Sequence, residues 1–150
     1  MIDKIRIKVD RRICSGCLSC MSTCSVANET YASLAAARIQ VELHPFGDTH
    51  GIALCRQCDK AACVEACSEG AIARVPGGWL VVDYDRCSGC RACIEACPFD
   101  AMFWNPISGQ VIKCQLCAGD PQCVRACPTG TLVLQMVADR TSKRKREEES

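Results

Sequence analysis

Apolar residues recur at every second position near both ends of the chain. In residues 5–9 the aliphatic positions are separated by basic ones, and in residues 132–136 Leu, Leu and Met stand two residues apart. A period of two is typical of a half-buried β-strand. We therefore predict a strand near each end.

The interior segments predict β-hairpins. Pro76-Gly77-Gly78 precedes the apolar run 79–82, and Asn105-Pro106-Ile107-Ser108-Gly109 separates the apolar run 102–104 from residues 110–112. Proline and glycine in such positions mark turns between strands.

Residues 31–51 have a different pattern. We predict a helix around Tyr31 to Arg38, a strand over Ile39–Leu43, and a loop from His44 to Gly51. This loop holds both histidines, which we interpret as surface or partner-facing residues.

Composition narrows the class of protein. The chain has 150 residues, a formal net charge of +1, 5% aromatic residues and 16 cysteines. The balanced charge gives no preference for nucleic acid or membranes. The first residues lack the apolar core of a secretory signal, and no apolar run is long enough to span a bilayer, so we expect a cytoplasmic protein. Reduced thiols at this density indicate metal or redox chemistry rather than disulfides.

The cysteines fall into four groups of four. Groups one and three have the spacing C-x2-C-x2-C-x3-C of bacterial ferredoxins, while groups two and four widen the middle gap to four and five residues. The groups are, in order, Cys14, Cys17, Cys20, Cys24; Cys55, Cys58, Cys63, Cys67; Cys87, Cys90, Cys93, Cys97; and Cys114, Cys117, Cys123, Cys127.

This spacing suits 4Fe-4S clusters. Three thiolates of one curled loop cap three iron corners, and the C-x3-C step places the fourth thiol about one helical turn away, where it ligates a neighbouring cluster. A zinc site of four thiolates, the main alternative, normally uses two distant C-x2-C pairs. The sequence therefore predicts four 4Fe-4S clusters and outer-sphere electron transfer.

An internal repeat predicts the fold class. Cys63-Val64-Glu65-Ala66-Cys67, Cys93-Ile94-Glu95-Ala96-Cys97 and Cys123-Val124-Arg125-Ala126-Cys127 recur at intervals of 30 residues. Each predicts a short helix followed by a strand. The expected fold is α+β, with tandem ferredoxin-like modules of short helices and β-hairpins around the clusters.

The chain resembles a known family through these motifs. Cys55-Arg56-Gln57-Cys58, Cys87-Ser88-Gly89-Cys90 and Lys113-Cys114-Gln115-Leu116-Cys117 are similar to the four-cluster iron–sulfur subunits of the dimethyl sulfoxide reductase superfamily. The short segment between Cys117 and Cys123 resembles the small subunits that accompany tungsten aldehyde oxidoreductases and benzoyl-CoA reductase complexes. Ser25 and Ser68 depart from the motif, which often has Pro there.

The resemblance implies a function and partners. It implies a subunit without a catalytic site, which relays electrons between a large tungsten- or molybdenum-pterin subunit and a second redox partner. That second partner would be a flavin- or NAD-binding subunit or a soluble ferredoxin, and self-association would extend the path. A freely diffusing polyferredoxin is the alternative, and a zinc-dependent interaction module is a remote one.

Two ligand schemes satisfy the spacing: groups one with two and three with four, or the nested pairing of one with four and two with three. The short gap between Cys67 and Cys87 and the resemblance favour nesting, although the similar gap from Cys97 to Cys114 keeps sequential pairing open. The nested ligand sets are site 1, Cys14, Cys17, Cys20 and Cys127; site 2, Cys24, Cys114, Cys117 and Cys123; site 3, Cys55, Cys58, Cys63 and Cys97; and site 4, Cys67, Cys87, Cys90 and Cys93.

Nesting also predicts the domain organisation. Residues 1–54 and 111–138 would form an outer two-cluster module, whose terminal strands pair as they do in ferredoxins. Residues 55–110 would form an inner module. Residues 139–150, with a basic block followed by an acidic one, are expected to be a disordered tail.

Overall fold

The structure, a computed structural model, describes residues 4–137. The predicted charged tail therefore lies outside the described residues. Within them, none of the helices is long and apolar enough to cross a membrane.

The fold combines short helices with two-stranded antiparallel sheets. The strands are β1 Lys4–Val9, β2 Ile39–Glu42, β3 Gly51–Leu54, β4 Ile72–Arg74, β5 Leu80–Val82, β6 Met102–Asn105, β7 Gln110–Lys113 and β8 Leu132–Val137. The helices are α1 Ser19–Glu29, α2 Ala62–Ala66, α3 Ala92–Ala96 and α4 Gln122–Ala126. This architecture confirms the predicted α+β class.

The sheets pair as expected. Strand β1 pairs with β8, with Ile7 opposite Leu134, and the hairpins β4–β5 and β6–β7 form around the predicted turns. Each of α2, α3 and α4 is a five-residue helix at the C-x3-C step of its group. The interval of 30 residues thus corresponds to a repeated unit of helix and strand.

The region after group one differs from the prediction. The expected helix around Tyr31 to Arg38 is wrong, because α1 runs through Cys24 to Glu29 and only a single 3-10 turn, Leu34–Ala36, follows. Position 25 holds serine rather than the motif's proline, and its backbone N–H allows the helix to continue. Ser68 makes the same replacement after Cys67, but α2 ends at Ala66. Thr30, with a φ of 66°, ends the helix.

The chain then turns back along α1. The backbone N–H of Ser33 donates to Oγ of Ser25 at 3.1 Å, which fixes the turn. Strand β2 confirms the predicted strand apart from its last residue, whereas Gly51 is the first residue of β3 rather than the end of a loop. Strands β2 and β3 pair and cover group one.

Two hydrophobic clusters lie between the elements. One joins side chains near groups one and four, and the other joins side chains near groups two and three. Correspondingly, α1 packs against α4, and α2 packs against α3. Major members of the first cluster are Met21, Ile39, Leu116 and Leu132. Those of the second are Ile72, Leu80, Val82, Met102 and Val111.

Candidate metal centres

All sixteen cysteines are free thiols, and the fold brings them together in sets drawn from two groups. Three cavities each have four cysteines in their lining. The three cavities are alike in size and partly open to solvent. The cavity linings contain Cys14, Cys17, Cys20 and Cys127; Cys67, Cys87, Cys90 and Cys93; and Cys55, Cys58, Cys63 and Cys97.

The remaining four cysteines also lie close together. The pKa of Cys123 is raised above its usual value, mainly by burial. The nearby Cys114, Cys24 and Cys117 raise this pKa further through charge repulsion. Burial likewise raises the pKa of Cys114 to about 12. The structure thus places the cysteines in the same four sets as sites 1 to 4, while their role as ligands remains a prediction.

The loops that carry these cysteines share one backbone feature. The residue just before the second cysteine of each group has a positive φ, between 49° and 77°. Two of these positions are glycines, which adopt this conformation without strain. This left-handed residue curls each loop around its own cysteines. The four residues are Gly16, Gln57, Gly89 and Leu116.

The fourth cysteine of each group accepts backbone hydrogen bonds. In groups two and three the donor is the N–H four residues further on, whereas in group one the extended helix α1 prevents this. Cys24 instead accepts from Arg38, which begins the approach to β2. The distances are 3.2 Å for Arg38 N to Cys24 Sγ, 3.3 Å for Ala71 N to Cys67 Sγ and 3.4 Å for Ala101 N to Cys97 Sγ.

In group four, burial acts to raise the pKa of Cys127, but hydrogen bonds from residues 129–132 outweigh it and lower the pKa to about 7. N–H donors of this kind stabilise a thiolate and also influence the potential of a cluster bound to it. Burial raises the pKa of Cys20 and of Cys93 to about 11. Ligation at these positions must therefore release protons.

A fully buried lysine lies between two of the cysteine sets. Lys113 has no exposed surface, and its Nζ donates to the carbonyl oxygens of Leu80 and Cys114, each at 2.6 Å. Within residues 4–137 it has no carboxylate partner. Its charge acts on the thiols of Cys63 and Cys114, which belong to sites 3 and 2.

This arrangement tests whether the chain fits the expected clusters. A buried ammonium without a counter-ion is costly, and anionic groups on both sides would offset that cost. Clusters held by four thiolates are such groups. The buried lysine therefore fits anionic clusters in sites 2 and 3, and the cysteines of site 3 also line a cavity.

Gln57 joins the same buried network. Its side chain is fully buried, with Nε2 donating to the carbonyl of Cys114 at 2.8 Å and Oε1 accepting from the N–H of Leu80 at 2.8 Å. The network links the loop of group two, β5 and the start of group four. It thereby holds the proposed inner and outer modules together.

Arg38 is a second buried cation that sequence reasoning missed. It is 7% exposed, and it reaches Glu29 Oε1 at 3.3 Å and the carbonyl of Lys113 at 3.4 Å. Its Nε, by contrast, has no hydrogen-bond partner in the described part of the chain.

The two predicted surface histidines lie beside one another. His50 Nδ1 accepts from the N–H of His44 at 3.0 Å, so the pair organises the loop between β2 and β3. Across residues 4–137 no cluster of three or more His, Cys, Asp or Glu side chains is placed to hold a single metal ion.

Trp104, on β6, packs against the guanidinium of Arg91, whose carbon Cζ lies 3.8 Å from the centre of the ring.

Comparison with known proteins places the chain in a family. The sequence profile of the 4Fe-4S dicluster domain matches residues 52–137, more than half of the chain and all of groups two to four. The chain belongs to the 4Fe-4S dicluster domain family. This 4Fe-4S protein has sixteen cysteines, a number consistent with four clusters, and the resemblance to reductase iron–sulfur subunits is confirmed.

Several relatives of this chain are known. A tetrathionate reductase subunit of Archaeoglobus fulgidus is 34% identical over 92 residues, which cover 60% of this chain and 44% of that one. The electron transport protein HydN of Escherichia coli is 33% identical over 90 residues, covering 57% and 51%. The matched region therefore spans about half the length of these relatives.

A solved structure resembles this chain over nearly the whole length of the chain. It is a chain of the active site complex BamBC of benzoyl coenzyme A reductase in complex with benzoyl-CoA. The sequences are 26% identical, the TM-score is 0.57, and the match covers 98% of this chain and 88% of that chain. Unlike the family profile, this likeness includes group one.

Proposed function

We propose that the chain is an electron-transfer subunit that holds four 4Fe-4S clusters in sites 1 to 4. The observation that carries the proposal is the grouping of sixteen free cysteines into four sets, three of them around a cavity. A 4Fe-4S cluster supplies one-electron transfer with little change of geometry. The likeness to a BamBC chain over 98% of the sequence supports a role within a larger complex.

The protein's own residues would control where the electrons go. Backbone N–H groups at the fourth cysteines favour the thiolate form, and the buried Lys113 adds positive charge beside sites 2 and 3. Cys17 and Cys90 are exposed, so sites 1 and 4 would reach the surface. The order 1, 2, 3, 4 then forms a path across the chain.

The same assignment divides the chain into two modules. Sites 1 and 2 belong to the outer module, residues 1–54 and 111–138, and sites 3 and 4 to the inner module, residues 55–110. The pairing of β1 with β8 and the packing of α1 on α4 support this division.

The partner we propose is a large tungsten- or molybdenum-pterin catalytic subunit, since the structural neighbour belongs to the active site complex of a benzoyl coenzyme A reductase. A flavin- or NAD-binding subunit, a soluble ferredoxin or a second copy of the chain would exchange electrons at the other end. The chain itself would have no catalytic site. We place it in the cytoplasm, where thiols remain reduced.

Anaerobic purification from the native source tests these points. We expect a brown protein with about sixteen irons, which copurifies with a tungsten- or molybdenum-containing subunit. A brown protein that stays monomeric and exchanges electrons with several enzymes would instead indicate a freely diffusing polyferredoxin. A colourless protein with stoichiometric zinc would refute the electron-transfer role.

A further inference from the structure

A basic groove lies on the surface beside β1. Its volume is about 570 Å³, and its floor includes the buried side chains of Ile7, Ile52 and Leu54. Among the described residues that line it, four are cations and none is an acid. These cations are Arg6, Lys8, Arg11 and Arg56.

Two of the four cations are held in place by contacts within the protein. The guanidinium of Arg11 donates to the carbonyl of Ile52 at 3.0 Å, and the guanidinium of Arg56 lies 4.0 Å from the ring centre of Phe99. A cation that is already positioned loses less conformational entropy when an anion binds. Arg6 and Lys8 stand two residues apart on β1 and complete the positive wall.

The groove borders two of the proposed cluster sites. Ile52 lines both the groove and the cavity of site 1, and Arg56 lines both the groove and the cavity of site 3. A molecule docked in the groove would therefore be separated from each of these cavities by one residue.

We propose that this groove is the docking surface for an electron-carrier protein with an acidic face. The inference rests on the proposed function, because it assumes that the clusters exchange electrons. One electron passes from the reduced carrier to the oxidised clusters of this chain, so that the carrier becomes oxidised and the clusters become reduced. No bond forms or breaks and no proton moves. Complementary charge raises the rate of such encounters by about 10-fold to 1,000-fold at low ionic strength.

A double charge reversal tests the proposal. The variant R6E/K8E changes the two exposed cations on β1 and leaves Arg11 and Arg56 with their internal contacts. The probe is an acidic bacterial two-cluster ferredoxin, reduced with dithionite and mixed with the oxidised protein in a stopped-flow cell. We expect the second-order rate constant to fall about tenfold or more at low salt, and the difference to vanish at roughly 1 M salt, where charges are screened within about 3 Å.

The matched control is K60E/R86E, which gives the same change in net charge. Lys60 and Arg86 are exposed cations outside the groove, so their reversal should leave the rate within about twofold of wild type. The neutral variant R6Q/K8Q, which guards against misfolding of β1, should give an intermediate rate. Equal losses in R6E/K8E and K60E/R86E, or none in either, would overturn the groove as the docking surface.

Two further measurements separate the possible failures. Iron content and paramagnetic resonance of each dithionite-reduced variant report whether the clusters are present; a wild type without clusters would refute the proposed function itself. The chain's acidic residues 147–149 are another potential occupant of the groove. These glutamates are changed to glutamine in a full chain that is otherwise wild type. If this variant reacted with ferredoxin faster than the wild type at low salt, the tail would be the occupant of the groove and the docking proposal would fail.

Discussion

Groups one and three have the same cysteine spacing but different surroundings. Their first three cysteines lie in similar loops, with Gly16 and Gly89 at φ values of 75° and 77°. After the fourth cysteine they diverge: α3 ends before Cys97, while α1 continues five residues past Cys24 to Glu29. The residue after the fourth cysteine is Pro98 in one case and Ser25 in the other.

The difference changes how the fourth thiol is supported. Cys97 accepts the N–H of Ala101 from its own turn, whereas Cys24 accepts the N–H of Arg38, fourteen residues away in sequence. The residue after the fourth cysteine does not decide this alone, because Ser68 follows Cys67 and yet α2 ends at Ala66 and Cys67 accepts the N–H of Ala71. In group one the supporting segment also brings in the buried Arg38.

The largest expected effect concerns which cluster receives the fourth cysteine of each group. Under nested pairing, C127S and C14S alter the same signal in paramagnetic resonance and redox titration, because both ligands belong to site 1. C87S alters a different signal, which it shares with C67S. If C127S matched C87S instead, the nested assignment would be wrong.

The second effect concerns the clusters that hold the fourth cysteines of the two groups. Lys113 lies beside sites 2 and 3, which contain Cys24 and Cys97, and its charge favours the reduced, more negative cluster. We expect K113M to lower the potentials of two clusters by roughly 60 mV, a tenfold change in a one-electron equilibrium. Potentiometric titration measures this shift.

Two control variants accompany K113M. K113R retains the positive charge and should keep the potentials near those of wild type, and K60M removes an exposed lysine and should have little effect. Uniform shifts in all four clusters, or none in K113M, would contradict the placement of Lys113 between two sites.

The third effect tests the role of the residue after the fourth cysteine. S25P places proline inside α1 and should destabilise it by about 3 kcal/mol. S68P, by contrast, follows the extended Cys67 and mimics Pro98 and Pro128, so it should be nearly neutral. The rate at which visible absorption is lost in guanidinium compares the two; equal rates would show that Ser25 does not distinguish the groups.

The smallest expected effect concerns the third residue after the fourth cysteine, which has a positive φ in groups two, three and four. Gly70, Asp100 and Gly130 occupy equivalent positions with φ values of 61°, 52° and 71°. An added Cβ at either glycine would meet no atom within 4 Å, so G70A and G130A should cost about 1 kcal/mol from backbone strain alone. D100G should slow cluster loss slightly. Faster loss in D100G than in wild type would contradict this account.

Much of the fold was predictable from local patterns. Alternation predicted β1 and β8, and proline and glycine predicted the hairpins, because strands and turns depend on neighbouring residues. The helix at Tyr31 to Arg38 was wrong because the sequence gives no direct sign that a helix begun at Ser19 would use up the chain as far as Glu29. Strand β3 was missed because its four residues, Gly51-Ile52-Ala53-Leu54, include no polar side chain, so the sequence shows no alternation of apolar and polar positions although burial does alternate along the strand.

The candidate site was predictable to a different extent. The four cysteine sets follow from motif spacing, strand pairing and the family resemblance. The buried cations Arg38 and Lys113 depend on where distant segments meet, as when Lys113 reaches the carbonyl of Leu80, 33 residues away. Such contacts leave little trace in a single sequence.

The pairing of β1 with β8 has a consequence for how the protein is made. During synthesis β1 leaves the ribosome before the other described strands, and its partner strand follows more than 120 residues later. Under the nested assignment, sites 3 and 4 have all their cysteines once residue 97 has emerged, whereas sites 1 and 2 wait for Cys127 and Cys123. On that assignment the inner module would have its full set of cysteines while the outer one still lacked the cysteines of group four.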